Sequence, residues 1–417
     1  MSTPAATLDR LLGGLADVGR DPGGGYRRFA WTDVDVDLRT WFEDQARVRG
    51  MDVVVDRAGN QWAWWGDPDR TPGVVTGSHL DSVPGGGAFD GPLGVVTGFA
   101  AVDALRAQGR TPSVPLGVVC FSDEEGGRFG VACLGSRLLT GALEPARALA
   151  LHDADGVSLA DALLRVGRPV DGPGAPAADP EALGRVAAFV ELHVEQGRVL
   201  DDVVGGGAAV GVGTGIWPHG RWRVQMCGEA NHAGTTPLAA RQDPMLDLAS
   251  LVVRAREAAE RCGALATVGR VVVEPNGVNA IPSRVTAWLD ARAQAPEAVA
   301  DVLASLADLE PQLESWTGAT TFDEPLVDRV ARVVGGSAVG AAAGAAAAAD
   351  APRLTTGAGH DAGVLATAGV PTAMLFVRNR TGVSHSPAEH AEPADCHAGL
   401  TALSAVLADL TTAEPNR

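Results

Sequence analysis

Leu8, Leu11, Leu12 and Leu15 recur at i, i+3, i+4 and i+7, the period of a helix that buries one face. Beyond them the pattern changes to short apolar runs separated by longer helical stretches. The runs at 74–76, 114–121, 186–190 and 372–377 have the length of buried strands, and 93–108 and 396–410 have the rhythm of helices. Strand–helix alternation predicts an α/β domain with a mostly parallel sheet. Between 216 and 322 the rhythm differs. A strand (222–226), a long helix (244–262), two strands (267–273, 284–289) and a second helix (296–316) spell a small two-layer α+β sandwich. The α/β pattern then resumes, so the sandwich reads as an insertion between Gly-rich and Pro-containing joints at 204–215 and 317–325. The expected organisation is residues 1–215 and 326–417 as two parts of one α/β domain, with 216–325 inserted. The segment 171–180 reads as a loop, and the Ala/Gly tract at 335–349 as a helix or surface element.

Composition narrows the function. The chain has 417 residues and a formal net charge of −18, and all of its 33 basic side chains are arginine. Schiff-base and P-loop lysine chemistry are thereby excluded. The acidic balance argues against nucleic acid or an anionic membrane as the main partner. No apolar stretch reaches the roughly 18 residues of a spanning helix. The N-terminus lacks the basic start and apolar run of a signal peptide. Five scattered cysteines without a CxxC pair suggest reduced, inert buried thiols in the cytoplasm.

Four polar clusters follow strand-like runs: VVTGSHLDSVPGGGAFDG with His79, Asp81 and Asp90; VVCFSDEEGGRFG with Asp123, Glu124 and Glu125; AAFVELHVEQG with His193, Glu195 and Gln196; and AMLFVRNRTGVSHSPAEH with His385. Open α/β sheets bind ligands beyond the carboxyl ends of their strands, so these clusters converge on one rim. Imidazoles and carboxylates without thiolate suit Zn, Mn, Co or Ni. There are more such groups than one tetrahedral ion needs, and a shared carboxylate can bridge two ions about 3.5–4 Å apart. Glu124 and Glu125 point to opposite sides, which splits them into one ligand and one general base. Asp81 is placed to accept from the second nitrogen of His79 and fix its tautomer. Trp62, Trp64 and Trp65 read as packing residues rather than a ligand cage.

GSHLDSVPGGGAFDG, FSDEEGGRFG, ELHVEQG, GEANHAGTTP, VNAIPSRVTAWLDAR, TGAGHDA and GVSHSPAEH, in this order, resemble the amidase/hydantoinase/carbamoylase branch of the di-metal aminoacylase-like peptidases. That branch includes allantoate amidohydrolases, N-carbamoyl-L-amino-acid hydrolases and β-ureidopropionases, and the resemblance spans about residues 8–412. It implies two divalent metal ions per subunit, Zn or Mn with Co or Ni as alternatives. His79, Asp90 and His193 hold one ion, and Asp90 bridges to a second held by Glu125 and His385. Glu124 is the base that deprotonates the attacking water. His232 stabilises the oxyanion and also contacts substrate. Gln196, Asn279, Arg292, Gly359 and His360 match substrate-binding positions, and Arg292 would grip the substrate carboxylate bidentately.

The inserted domain resembles the family's lid and dimerisation domain, implying a homodimer. Flanks 59–69 and 376–396 are more similar to allantoate amidohydrolases than to carbamoylases. The implied reaction is hydrolysis of a ureido group on a small acid, foremost allantoate, with an N-carbamoyl amino acid or β-ureidopropionate as alternative. A degenerate binding protein is the reading from another class, but no ligand or base is missing. One departure stands out. Relatives commonly carry His after the substrate-binding Arg, and here position 293 is Ala.

Overall fold

Runs of apolar residues with no polar alternation are suited to strands covered on both faces, and four of them lie side by side. Gly73–His79, Leu116–Phe121 and Thr372–Val377 are buried at every position, and Val186–Val194 at most of them, in a computed structural model that describes residues 3–202, 207–337 and 350–412. They are mutually parallel, in the order Leu116–Phe121, Gly73–His79, Val186–Val194, Thr372–Val377. Antiparallel strands extend both sides: Gln61–Trp65 and Asp52–Val55 beyond Leu116–Phe121, and Val210–Ile216 beyond Thr372–Val377. The last of these corrects a sequence expectation, because the second half of the Gly-rich joint at 204–215, from Val210 on, is a strand, while 204–206 lie outside the described residues. Glycine at 211 and 213 leaves room that a Cβ would fill against Leu200, Leu354, Met374 and Phe376.

The helices Pro4–Leu15, Pro92–Ala107 and Pro393–Leu410 pack on one another, and the latter two also on the sheet. Pro92–Ala107 is buried along nearly its whole length, so it is apolar all round rather than amphipathic. Trp62 and Trp64 are core residues, stacked 6.2 Å apart, and Trp62 Nε1 donates to Asp56 Oδ2 at 2.9 Å. The segment 171–179 is a loop that ends where the short helix Pro180–Gly184 begins. The expected element at 335–349 falls largely on 338–349, outside the described residues; the helix Glu324–Gly335 stops just before it.

The chain divides into two compact units: Met1–Thr214 with Thr321–Leu354 and Gly359–Arg417, and Gly215–Thr320 with Thr355–Ala358. Among the described residues, the second unit holds a four-stranded antiparallel sheet in the order Gln312–Thr317, His219–Cys227, Arg284–Arg292, Leu265–Glu274. Val224, Met226, Val285, Ala287 and Leu289 on one face of the sheet form a core with Leu251, Ala255 and Ala259 of helix Pro244–Cys262 and with Val302 and Leu306. One expectation fails here. The apolar spacing that suggested a helix over 296–316 yields a helix only over Pro296–Ala304, and Gln312–Thr317 is an edge strand. The α-helix stops at Ala304, a 3-10 turn spans Ala307–Leu309, and Glu310 at φ +50° followed by Pro311, which has no amide hydrogen, turns the chain into the strand.

Candidate metal centre

Because the four parallel strands run the same way, their carboxyl ends share one rim, and the sequence clusters sit there. His79 ends its strand and His193 is next to last in its own; both side chains are buried. In each, Nδ1 lies against a backbone carbonyl: that of Asp81 at 3.1 Å for His79, and of Val194 at 2.8 Å for His193. A carbonyl only accepts, so Nδ1 carries hydrogen and Nε2 is the atom left to take a cation or, in its place, a second proton. Both Nε2 atoms are buried without a hydrogen-bond partner, and both face Asp90 Oδ1, at 3.6 Å from His79 and 3.2 Å from His193.

Asp90 sits immediately before helix Pro92–Ala107. The intervening Gly91 has φ +83°, and a Cβ there would meet the His79 ring at 2.4 Å, so only glycine lets the chain pass so close to the imidazole. While Oδ1 faces the two strand-end histidines, Oδ2 faces His385 Nε2 at 3.6 Å. His385 Nε2 is in turn 3.3 Å from Glu125 Oε2. Asp90 therefore belongs to two groups of potential ligand atoms, His79–Asp90–His193 and Asp90–Glu125–His385, each gathered within 4.8 Å.

The turn after Leu116–Phe121 is held from below. Asp81 Oδ1 accepts from the Glu124 amide at 3.1 Å and Oδ2 from the Glu125 amide at 3.0 Å. Sequence reasoning gave Asp81 the task of orienting His79, but its carboxylate is 3.5 Å from Nδ1 and its own backbone carbonyl is closer. Its carboxylate chiefly fixes the acid pair. Glu124 is buried, with Oε2 3.6 Å from His79 Nε2 and Oε1 accepting from Cys133 Sγ at 3.2 Å. Burial pushes the Glu124 carboxyl well above its ordinary range; His79 opposes this, and Asp361 and Glu125 add to it. The expectation that all five cysteines are inert buried thiols fails in part. Cys133 instead touches the acid pair, Cys227 is exposed and Cys262 partly so.

Gln196 turns its amide nitrogen to Asp90 Oδ2 at 2.9 Å, which leaves its buried Oε1 without a partner. Gly359 leads into His360, which caps helix Asp361–Thr367 and packs its ring 4.5 Å from that of His193. Burial, reinforced by His193, pulls the His360 imidazole well below its usual value. Glu191, His193 and His360 form a third close group. Both Glu191 oxygens already accept, from Ser78 Oγ at 2.8 Å and the Ala362 amide at 3.0 Å, so this group reads as the polar wall behind the first.

The remaining sequence candidates lie in the second unit. His232 is exposed in a two-stranded ribbon that pairs Asn231–His232 with Ala280–Ile281; the exposed Asn279 immediately precedes the second strand, and its carbonyl accepts from the Ala233 amide at 3.0 Å. His232 Nδ1 accepts from the Gly234 amide at 2.9 Å, which leaves Nε2–H free to donate. Arg292 is already engaged: Asp290 takes Nε at 2.6 Å and Nη2 at 3.0 Å, and the Gly357 carbonyl takes Nη1 at 2.8 Å. Asp290 thus supplies the support that the Ala at 293 put in question, and Ala293 packs in the core with Trp222. Asp290 carried no signal in the sequence beyond its i, i+2 spacing to Arg292 on one strand face.

The donor set of the first unit fits divalent cations. Lone pairs aimed at carboxylate oxygens repel them, and a cation between them removes the conflict. Protons are the competitors. Burial, with help from Asp90, pushes Glu125 up to about 8. Burial pulls His193 down, but Asp90 and Glu191 outweigh it and raise it to about 9. Both groups therefore hold a proton at pH 7 that a cation must displace. Cation affinity is expected to rise from pH 6 to pH 8 with net proton release, read by calorimetry in buffers of different ionisation enthalpy. Affinity independent of pH would contradict this.

The sequence profile of peptidase family M20/M25/M40 matches residues 51–409. An N-carbamoyl-L-amino acid amidohydrolase of Geobacillus stearothermophilus is 38% identical over 394 residues, covering 93% of this chain and 94% of that protein. The allantoate amidohydrolase of Escherichia coli is 30% identical, with 97% of each chain covered. Among solved structures, an amidase of the hydantoinase/carbamoylase family from Burkholderia vietnamiensis superposes with a TM-score of 0.85 at 30% identity, covering 98% of this chain and 97% of that one.

Proposed function

This chain belongs to peptidase family M20/M25/M40 and is a metal-dependent hydrolase, and from that premise we propose that it cleaves a ureido C–N bond of a small carboxylic acid. The observation that carries the reading is Asp90, whose two oxygens face two separate histidine-containing groups with Glu124 beside them. In this reading His79, Asp90 and His193 hold one divalent cation, and Asp90, Glu125 and His385 a second, with Zn or Mn first and Co or Ni as alternatives. Bound there, the cations polarise a carbonyl and ease deprotonation of water.

The chain's own groups do the rest. Glu124 takes the proton of the attacking water and delivers it to the departing nitrogen. Asp81 holds the Glu124 and Glu125 amides, so the base and its neighbouring ligand keep opposite orientations. Gln196 Oε1 is an acceptor for ureido N–H, and in this reading Gly359 and His360 also contact the substrate. His232 Nε2–H donates to the oxyanion, worth about 2.7–4 kcal/mol for one such donor. Asn279 binds the substrate, and Arg292, oriented by Asp290, pairs with its carboxylate.

Allantoate is the first substrate reading. Its sequence support is the similarity of flanks 59–69 and 376–396 to allantoate amidohydrolases; the first of these also builds core through Trp62, Trp64 and Asn60. An N-carbamoyl-L-amino acid is the second reading, favoured by the 38% identity to an enzyme of that name. Ammonia release from allantoate, N-carbamoyl amino acids, β-ureidopropionate and dipeptides, after reconstitution with Mn or Zn, tests the proposal. Turnover of a ureido acid is expected; cleavage of dipeptides alone overturns it. We further propose a cytoplasmic homodimer formed through the second unit. There, Leu246 and Val253 of helix Pro244–Cys262 and Leu265, Val271 and Val272 of the edge strand are exposed apolar side chains.

A further inference from the structure

The cation ligands differ in how they are held. His79 and His193 are fixed by buried strand ends. His385 lies on a loop, its side chain half exposed and its backbone at φ +53°, a conformation that non-glycine residues seldom adopt. Something outside regular secondary structure must therefore place it, and the residues on either side of it in sequence show what does.

Ser384, immediately before it, turns Oγ to Asp90 Oδ2 at 3.0 Å. Glu389, four residues after it, is buried, and its Oε1 accepts from two amides at once, Phe89 at 2.9 Å and Asp90 at 3.0 Å. Its Oε2 lies 3.3 Å from Ser384 Oγ, closing the ring. A turn from the Glu389 amide to the Ser386 carbonyl at 3.1 Å folds the loop back so that this reach is possible. The space is provided from the other side, since a Cβ on Gly87 would meet Glu389 Oε1 at 2.2 Å. Glu389 itself is not among the grouped ligand atoms of either site. A buried carboxylate is costly unless its acceptors are used; here Oε1 ties the 384–389 loop to residues 89 and 90, and Oε2 shares the one Ser384 hydroxyl hydrogen with Asp90 within its own loop.

We infer that Glu389 is a positioning residue for His385: it clamps the 384–389 loop to the backbone of Asp90 and so sets the cation position formed by Asp90, Glu125 and His385. The inference rests on the two-cation reading above. Removing the clamp loosens the 384–389 loop that carries His385, while His79 and His193 stay anchored by the sheet. The loss therefore falls on one cation and spares the other.

The test is cation binding, followed by calorimetry with Co(II) and by the Co(II) absorption spectrum, on the full chain, with circular dichroism to check folding. Glu389→Ala is expected to weaken one of two cations by about 10–100-fold, the range for partners that orient metal ligands, and to leave the other at wild-type affinity. Glu389→Gln keeps an acceptor oxygen for both amides and can donate to Ser384, so it should restore the second cation. Gly87→Ala, which pushes the Glu389 carboxylate away, should reproduce the selective loss, and it decides the matter if Glu389→Ala does not fold. If the wild type binds one cation only, the two-cation reading falls and takes this inference with it. If the wild type binds two and both alanine variants bind two equally well, the inference alone falls. Equal loss of both cations, or a Gln variant as impaired as Ala, also overturns it, because the residue would then act through general stability or charge rather than as a clamp.

Discussion

Glu124→Gln is expected to lower kcat by about 10²–10⁴-fold, the usual contribution of a positioned acid–base group, while cation content stays at the wild-type level. The substitution is isosteric. It keeps the backbone amide of residue 124 on Asp81, and the side chain can still accept from Cys133 through its remaining oxygen. Glu124 is in neither ligand group, so both can load as before. What disappears is the capacity to take a proton. Ammonia release and metal analysis on the same sample separate the two effects. Turnover near wild type would remove Glu124 as the base. Loss of turnover together with loss of metal would make it a ligand instead.

Asp90→Ala is expected to abolish both cation sites at once. Its Oδ1 faces His79 and His193 and its Oδ2 faces His385, so one truncation takes a ligand from each group. The affinity loss should exceed the roughly 100-fold upper range for residues that merely orient ligands, and turnover should fall with it. His385→Ala is the informative contrast, because it removes a ligand from one group only and should leave one ion bound. An Asp90→Ala protein that still retains one tightly bound cation would show that the carboxylate is not shared.

The second unit shows how a functional residue can be legible while its surroundings are not. Arg292 stood out through its motif, yet its partner Asp290 did not, although the two lie on one face of one strand and pair at 2.6 Å. The sequence pattern could not say whether Asp290 faces solvent, core or guanidinium, because strand alternation only assigns residues to faces. The edge strand Gln312–Thr317 was misjudged for a related reason. Leu303, Leu306, Leu309 and Leu313 continue a helical spacing, while the end of the α-helix at Ala304 and the turn through Glu310 and Pro311 into the strand are backbone events that hydrophobic spacing does not register.

Apolar runs and their spacing were enough, read along the chain, to indicate four buried parallel strands with an α+β insertion, and ordered motifs to nominate the imidazoles and carboxylates at their ends. Those features are local: period, run length and residue type act within a few positions of one another. Which atoms meet was decided only by tertiary structure. That Asp90 offers one oxygen to two strand-end histidines and the other to a loop histidine, that Cys133 touches Glu124, and that Glu389 reaches amides 299 and 300 positions away follow from how strands and loops are brought together across the sheet. Such contacts depend on distances and directions between remote segments, and no short stretch of sequence encodes them.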